Sequence, residues 1–513
     1  MTAPPPPSTP PTSRSAAKDG LWVLGAKVYF ILTGLVQQVV LGRVLGLDGY
    51  GALSTALSAS SIAHNTIVQA SLQGVSRTVA RAGQQPKRAL RRVLSHHTAV
   101  ALALGALFWA FSPVVARALG APHVTTSLKT LSLVFVFYGL YAPFIGALNG
   151  TKRIRAQASF DILSATLRTL GMVFGAALGA RLLGAGQGPF GAVLGFALAA
   201  ALVLVLSAFY VGVGEAGGAE PKASDYAREL GSLVGGQLVL NLLFQADALL
   251  LRRFAADAAL SVGQDVTAAD TFVGAYRAAQ LFAFLPYQLL ASVTIVLFPL
   301  VARAQAEADP TRVREYVQNG LRIALMVLSL LLSLFVSVPG ELIGLVYGAE
   351  AASLGGPTLR ILGPSLCFLA LLGVLTTCLN SLGHAKKTFL LTLVALVAVL
   401  TSATLLARGA PLEPELLKRM ALGTGLGLIL AVGLTARQLY REVGALVRFK
   451  SLGNILLTTA LACAVGLFVL PPSLTIFLRA PLITIVQVLG LFALRELRPA
   501  ELKGLLRPPQ KKS

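Results

Sequence analysis

Charge is scarce in this sequence. Asp, Glu, Lys and Arg make up 12% of the 513 residues, against 55% hydrophobic, and a soluble domain carries about twice that share of charge. Water is thereby excluded as the chain's main solvent. Cysteine is scarcer still: Cys367, Cys378 and Cys463 all fall in apolar stretches, which excludes a disulfide framework or a paired-Cys zinc site. They read as small packing residues. Acidic residues number 21 against 43 Lys and Arg. In a soluble protein that excess would point to nucleic acid. Here the bases gather in short loops between apolar runs, so membrane topology accounts for them and no nucleic-acid partner is expected. The period-2 alternation of a β-barrel is missing. So are GxxxxGK[ST], HExxH and GxSxG, which leaves no support for an enzyme, a bound cofactor or ATP as the direct energy source.

What is present is a succession of apolar runs of about 20 residues, each long enough to cross a hydrocarbon core about 30 Å thick. They fall near 21–42, 50–73, 96–118, 124–148, 158–182, 190–213 and 228–252, then near 272–302, 319–345, 358–380, 386–407, 416–436, 453–471 and 478–494. The fold class is therefore all-α: a polytopic membrane protein of about fourteen transmembrane helices. Residues 1–20, rich in Pro, Ser and Thr and without an apolar run, read as a disordered cytoplasmic tail and not as a signal peptide. Residues 496–513 read as a basic tail. Placing both termini in the cytoplasm puts 29 of the 43 bases inside and 11 outside, with Lys27, Arg168 and Arg277 within spans. The positive-inside rule selects this orientation.

An internal repeat follows. Tyr50 to Arg77 and Tyr276 to Arg303 each open at a Gly-containing turn and close in a Val-Ser/Ala-Arg triplet, at an offset of 226. The run from Leu128 matches the run from Leu359 at a constant offset of 231, pairing Lys129/Arg360, Leu131/Leu362, Phe137/Phe368 and Asn149/Asn380. The chain thus divides into two pseudo-symmetric six-helix lobes, 21–213 and 228–439, joined by a cytoplasmic linker at 214–227 and followed by two additional helices in 440–495. Duplicated lobes of this kind can form a cleft that opens to either side of the membrane.

Over residues 21 to about 495 the sequence resembles the multidrug, oligosaccharidyl-lipid and polysaccharide (MOP) exporter superfamily, and within it the bacterial polysaccharide and oligosaccharide flippases. The resemblance rests on GRVLGLDGYGAL (42–53), QGVSRTVAR (73–81), VGAYRAAQLFAFLPYQ with FPLVAR (273–303) and LNSLGHAKK (379–387). It implies an inner-membrane protein that moves a polyprenyl-pyrophosphate-linked oligosaccharide by alternating access for polysaccharide or lipopolysaccharide biosynthesis. It also implies lipid-linked oligosaccharide and membrane lipids as partners, with a glycan polymerase and glycosyltransferases nearby. Two alternatives belong to the same superfamily. A lipid II flippase of this fold would carry several arginines in its first helices, where this chain has Lys27 before Arg43. A cation-coupled drug antiporter would want an acidic cavity.

Ionisable groups inside spans are functional candidates, because each costs several kcal/mol unless it faces a cavity or a partner. Lys27, Arg168 and Arg277 are the candidates for a cationic cleft that holds the pyrophosphate. Snorkelling to the interface is the other reading of Lys27. Asp161, two turns before Arg168, makes a structural ion pair an equal reading there, and Asp247 lies at the depth of Arg277, so those two are expected either to pair or to bind. Polar stripes on the second and seventh spans place Asn65, Asn241 and Gln245 toward the cleft, and Gln280 joins Arg277, Phe284, Tyr287 and Gln288 on a face suited to sugars. Interhelical hydrogen bonding is the competing reading of these stripes. Energy would come from a coupling ion, a proton or sodium, or from the membrane potential or consumption of the product, with His64, Asp161 and Asp247 as coupling residues. Gly171, Gly175 and Gly179 form a small-residue ridge for close packing, and Asn149 and Asn380 stand as helix C-caps.

Overall fold

The computed structural model describes residues 13–82, 85–215, 223–471 and 473–497, and among them there are helices and no strand. Thirteen helical stretches are long and apolar enough to cross a membrane. The first, Val28–Arg81, has 54 residues, roughly 80 Å at 1.5 Å per residue and far too long for one crossing. It lies in helix α1 (Ser13–Arg81), which is broken at Gly46, whose φ of 71° and ψ of 177° interrupt the helical geometry. Counting the two sides of Gly46 separately turns thirteen stretches into the fourteen expected.

The other helices follow the predicted spans, with three local differences. The eighth span is two helices, α7 (Ala268–Ala283) and α8 (Leu285–Ala306), because Pro286 in the first turn of α8 has no N–H to continue α7. The ninth gains a short appendix, α10 (Pro339–Tyr347), after α9 (Pro310–Ser337). The seventh, α6 (Ala223–Ser261), begins before the predicted 228. Of the predicted tails and linker, residues 1–12, 216–222 and 498–513 lie outside the described residues, as does the side chain of Lys27, while 13–20 and 223–227, expected as tail and linker, are helical as the starts of α1 and α6. At the linker's described start, Lys87 Nζ donates to Glu215 Oε1 at 3.0 Å, and this bond and charge hold the Glu215 carboxyl below the usual carboxylate range.

The chain packs as two compact units, one of residues up to 45, 59–116 and 123–241, the other of 46–58, 117–122 and 242 onward. In the first, α4 (Ile154–Leu182) and α5 (Gly188–Val211) meet through facing glycines. A Cβ built on Gly171 or Gly195 would overlap the other's carbonyl, and Gly175 and Gly191 stand in the same relation. The predicted ridge is real, and its partner is a second ridge on the next helix. Close approach of this kind supplies the dispersion contact that association in lipid depends on. His97 on α2 (Pro86–Ala118) adds a buried bond, Nε2 to Ser71 Oγ at 2.7 Å.

The second unit is built around α11 (Ala349–Ser381), whose Leu359, Leu362, Val374 and Cys378 are fully buried. Against it lie α7, α8, α9, α10 and α13 (Pro414–Val443), with α12 (Ala385–Ala407) packed on α13. The last two spans, α14 (Phe449–Ala464) and α15 (Ile476–Ala493), sit on α9. Buried Gln487 donates to Ser329 Oγ at 2.9 Å, and the buried Glu496 carboxylate accepts from Ser451 and Asn454.

The repeat is visible in backbone geometry. At the end of α3 (Thr125–Gly150) Arg153 N donates to Leu148 O at 2.8 Å and Lys152 N to Asn149 O at 2.9 Å; at the end of α11 His384 N donates to Leu379 O and Gly383 N to Asn380 O, both at 3.0 Å. Each pair is separated by the same 231 residues that relate the sequences. The left-handed residue that ends each helix is Lys152 (φ 59°) or Gly383 (φ 86°), so Asn149 and Asn380 are not the caps. They end up one turn earlier, contributing a carbonyl.

Gly195→Val is expected to lower the thermal midpoint of detergent-purified protein, overpacking of this kind costing about 1–3 kcal/mol. Gly186→Val, where a Cβ meets nothing within 4 Å, is the comparison. Equal midpoints would refute the ridge contact.

Candidate functional site: two buried polar clusters

In the first unit Arg168 is half-buried on α4. Its Nε donates to Gln37 Oε1 at 3.2 Å, Thr169 Oγ1 donates to the same oxygen at 3.2 Å, and the guanidinium lies over the Phe30 ring, 5.1 Å from its centroid. Gln37 is itself buried. Among the described residues Arg168 has no carboxylate partner; its contacts run to α1, and the terminal nitrogens Nη1 and Nη2 make no hydrogen bond. Asp161, on the same helix, acts electrostatically on Tyr141.

His64 is half-buried in the same unit among Phe135, Tyr138 and Phe196, edge-on to each, with centroid distances of 6.0, 5.1 and 6.4 Å. Its Nδ1 has no hydrogen-bond partner among the described residues. Tyr138 is held by Ser164 at 3.0 Å. Asn65, next to His64, is exposed, and the bond to the seventh span is made by its neighbour: Asn241 Nδ2 reaches Thr66 Oγ1 at 3.5 Å and also donates to Gln237 O at 2.8 Å.

In the second unit Asp247 is buried, and Tyr276 OH donates to its Oδ2 at 2.9 Å, Gln280 Nε2 to both oxygens at 3.0 and 2.9 Å, and Ala248 N to Oδ1 at 2.8 Å. Gln280 in turn accepts from Arg277 Nη1 through Oε1. Asp247 and Arg277 are thus brought together through an amide relay and not by direct contact. This arrangement satisfies the carboxylate with three donors and links Asp247 of α6 to Arg277 of α7 through one side chain, which suits a low-dielectric interior. Asp247 also borders a cavity of about 10 Å³, room for a single water, lined by Phe244, Phe284, Leu366, Val399 and Thr424. Gln245 is half-buried with no partner for Oε1 among the described residues.

Gln37, Phe30, Thr66 and Tyr276 escaped the sequence reading. Phe30, Thr66 and Tyr276 are adjacent in sequence to, or one helical turn away from, a residue that was singled out, namely Lys27, Asn65 and Arg277. No group of three or more His, Cys, Asp or Glu able to hold a metal ion occurs among the described residues.

Apolar helices long enough to cross a membrane, with polar groups held among them, define a multi-pass membrane protein. Residues 16–305 match the family model described as polysaccharide biosynthesis protein, and residues 266–404 match the MatE model. No individually curated protein matches the sequence. Among solved structures the lipid II flippase MurJ, in an inward closed conformation, superposes with a TM-score of 0.73 at 14% identity, over 95% of this chain and 100% of that one. An inward-facing multidrug resistance MATE family transporter of the MOP superfamily gives 0.64 at 16% identity over 83% and 98%. A MOP superfamily transporter from Pyrococcus furiosus, reported for the reverse polarity of its binding pocket, gives 0.56 at 14% over 82% and 95%. The chain belongs to the polysaccharide biosynthesis protein family, within the MOP exporter superfamily.

Gln280→Leu removes one of the three donors to Asp247, and with it two hydrogen bonds, as well as the acceptor for Arg277, and losses of this kind cost about 1–3 kcal/mol for each buried group left unsatisfied. The thermal midpoint should fall, and the double variant Asp247→Asn/Gln280→Leu should fall by less than the sum of the single changes. Additive losses would show that the relay does not exist.

Proposed function

We propose that the protein is a flippase that carries a polyprenyl-pyrophosphate-linked oligosaccharide across the inner membrane by alternating access, for polysaccharide or lipopolysaccharide biosynthesis. The observation that carries this reading is Arg168. A guanidinium in a membrane span is costly unless its charge is met, and this one is braced by Gln37 and Phe30 while its two terminal nitrogens stay unbonded among the described residues. A fork of free donors in a low-dielectric setting suits a pyrophosphate oxyanion, which needs charge-assisted bonds to leave water. Arg277, by contrast, is already coupled to Asp247 through Gln280, so its share in substrate binding is secondary. Lys27 would join Arg168 from α1.

Phe284 and Tyr287, half-buried beside Gln280, would supply faces for sugar rings, while the lipid tail stays in the bilayer. Coupling to a proton or sodium gradient would fall to His64, Asp161 or Asp247. Both termini are taken as cytoplasmic, and a glycan polymerase and glycosyltransferases are the expected neighbours. A lipid II substrate shares the anionic head, and the two are separated by the group it carries.

The test is leaflet exposure of a fluorescent polyprenyl-pyrophosphate oligosaccharide in liposomes holding the purified protein, with a muropeptide-bearing lipid in a parallel arm. Arg168→Gln should fold and insert normally yet slow flipping about tenfold or more, with Arg168→Lys between, because Lys offers charge without the fork. Absence of flipping by the parent protein under any ion gradient would end this reading. Undiminished flipping by Arg168→Gln would remove Arg168 from it, and preference for the muropeptide lipid would transfer the reading to lipid II.

A further inference from the structure

Residues 46–58 and 117–122 belong by sequence to the first six-helix half, yet both cluster with residues 242 onward. What holds them there is one fully buried side chain and a set of glycines. Arg252 on α6 is 0% exposed. Its Nη2 donates to Gly120 O at 3.0 Å and to Val266 O at 3.1 Å, and its Nε lies 3.4 Å from Asp270 Oδ1, itself buried in the first turn of α7. One guanidinium therefore ties the 117–122 loop to the start of α7.

Alongside it the backbones touch. A Cβ on Gly51 would overlap the Asp270 carbonyl, a Cβ on Gly274 would overlap the Leu47 carbonyl, and one on Gly120, at φ 63°, would meet Ala256 Cβ at 2.5 Å. Tyr50 is buried against Tyr347 of α10, ring centroids 5.8 Å apart. The loops at 43–49, 117–123 and 253–271 all fall on the face that the positive-inside count places outside. Both captured segments continue in both directions into residues of the other unit.

We propose that Arg252 is the latch of an outer-face seal, and that passage to the outer side requires residues 46–58 and 117–122 to part from α6 and α7. The device rests on the flippase reading for its purpose but not for its detection. A buried charge is a sharp fastener: in place its Nη2 is held by two carbonyls and its Nε lies 3.4 Å from the Asp270 carboxylate, with Nη1 unbonded among the described residues, and once one of these partners leaves the charge is poorly met, so the seal has two discrete states and no graded one.

The test uses full-length protein in proteoliposomes, with Cys367, Cys378 and Cys463 replaced by Ser and a single reporter, Ala269→Cys, at a position that is 0% exposed. Labelling by a membrane-impermeant maleimide should be slow in the parent and about tenfold faster with Arg252→Gln, as the sealed population falls. Gly51→Ala, which keeps Arg252 but forces a Cβ into the Asp270 carbonyl, should act in the same direction and decides the matter should Arg252→Gln fail to accumulate. A second reporter, Ala403→Cys on α12, also 0% exposed, should stay slow in every variant. Unchanged labelling at 269 in inserted variants, or an equal rise at 269 and 403, would overturn the latch. Since no substrate is added, failure of the flippase reading leaves this readout intact.

Discussion

Charge inside a hydrocarbon layer has to be met where it sits, since no water is at hand to screen it. Each buried ionisable group of this chain answers that demand in a different way, and the answers sort the groups by what they can do. Arg252 is matched by Asp270 and two carbonyls. Asp247 is matched by three donors, one of which relays it to Arg277. Arg479 on α15 is matched by Glu341 and the Gly466 carbonyl. Arg168 departs from this pattern: it is braced by an amide oxygen and a ring, neither of which carries a negative charge.

The helices that carry these groups come together by shape, because lipid supplies no hydrophobic force between them. Glycine faces glycine on α4 and α5, and Gly423 and Gly427 of α13 lie against the backbone of Ala403 and Val399 on α12. The polar clusters are thus hung on contacts of backbone precision, which is what fixes the Phe30 ring under Arg168 and the Tyr276 hydroxyl on Asp247. A loosened ridge would move those groups without touching them.

The spans, their number and the repeat were legible in the sequence, because hydrophobic run length and constant offset are properties of the chain itself. The 231-residue offset even carries over to the hydrogen bonds that end α3 and α11. Side-chain partners were legible only to the nearest turn. Equal depth correctly associated Asp247 with Arg277, but the intervening Gln280 depends on side-chain reach that spacing does not encode. Asn65 was singled out where Thr66 makes the contact; one residue is about 100° around a helix, more than a polar stripe can resolve. The capture of residues 46–58 by the second unit was not legible at all, because it follows from how separate helices cross.

The contrast between the clusters bears on how one duplicated fold can do work. The repeat supplies equivalent helices twice, yet in the first copy Arg168 keeps unbonded terminal nitrogens near an unbonded imidazole nitrogen, whereas in the second Asp247 and Arg277 are joined through Gln280. On the flippase reading proposed above, if both were satisfied nothing would draw a phosphate out of water; if both were open, the insertion cost would fall twice on a single chain. Asymmetry of charge compensation on a symmetric scaffold confines the attraction for an anion to one place. It leaves the other half free to be rigid, and rigidity is what a latch such as Arg252 needs to pull against.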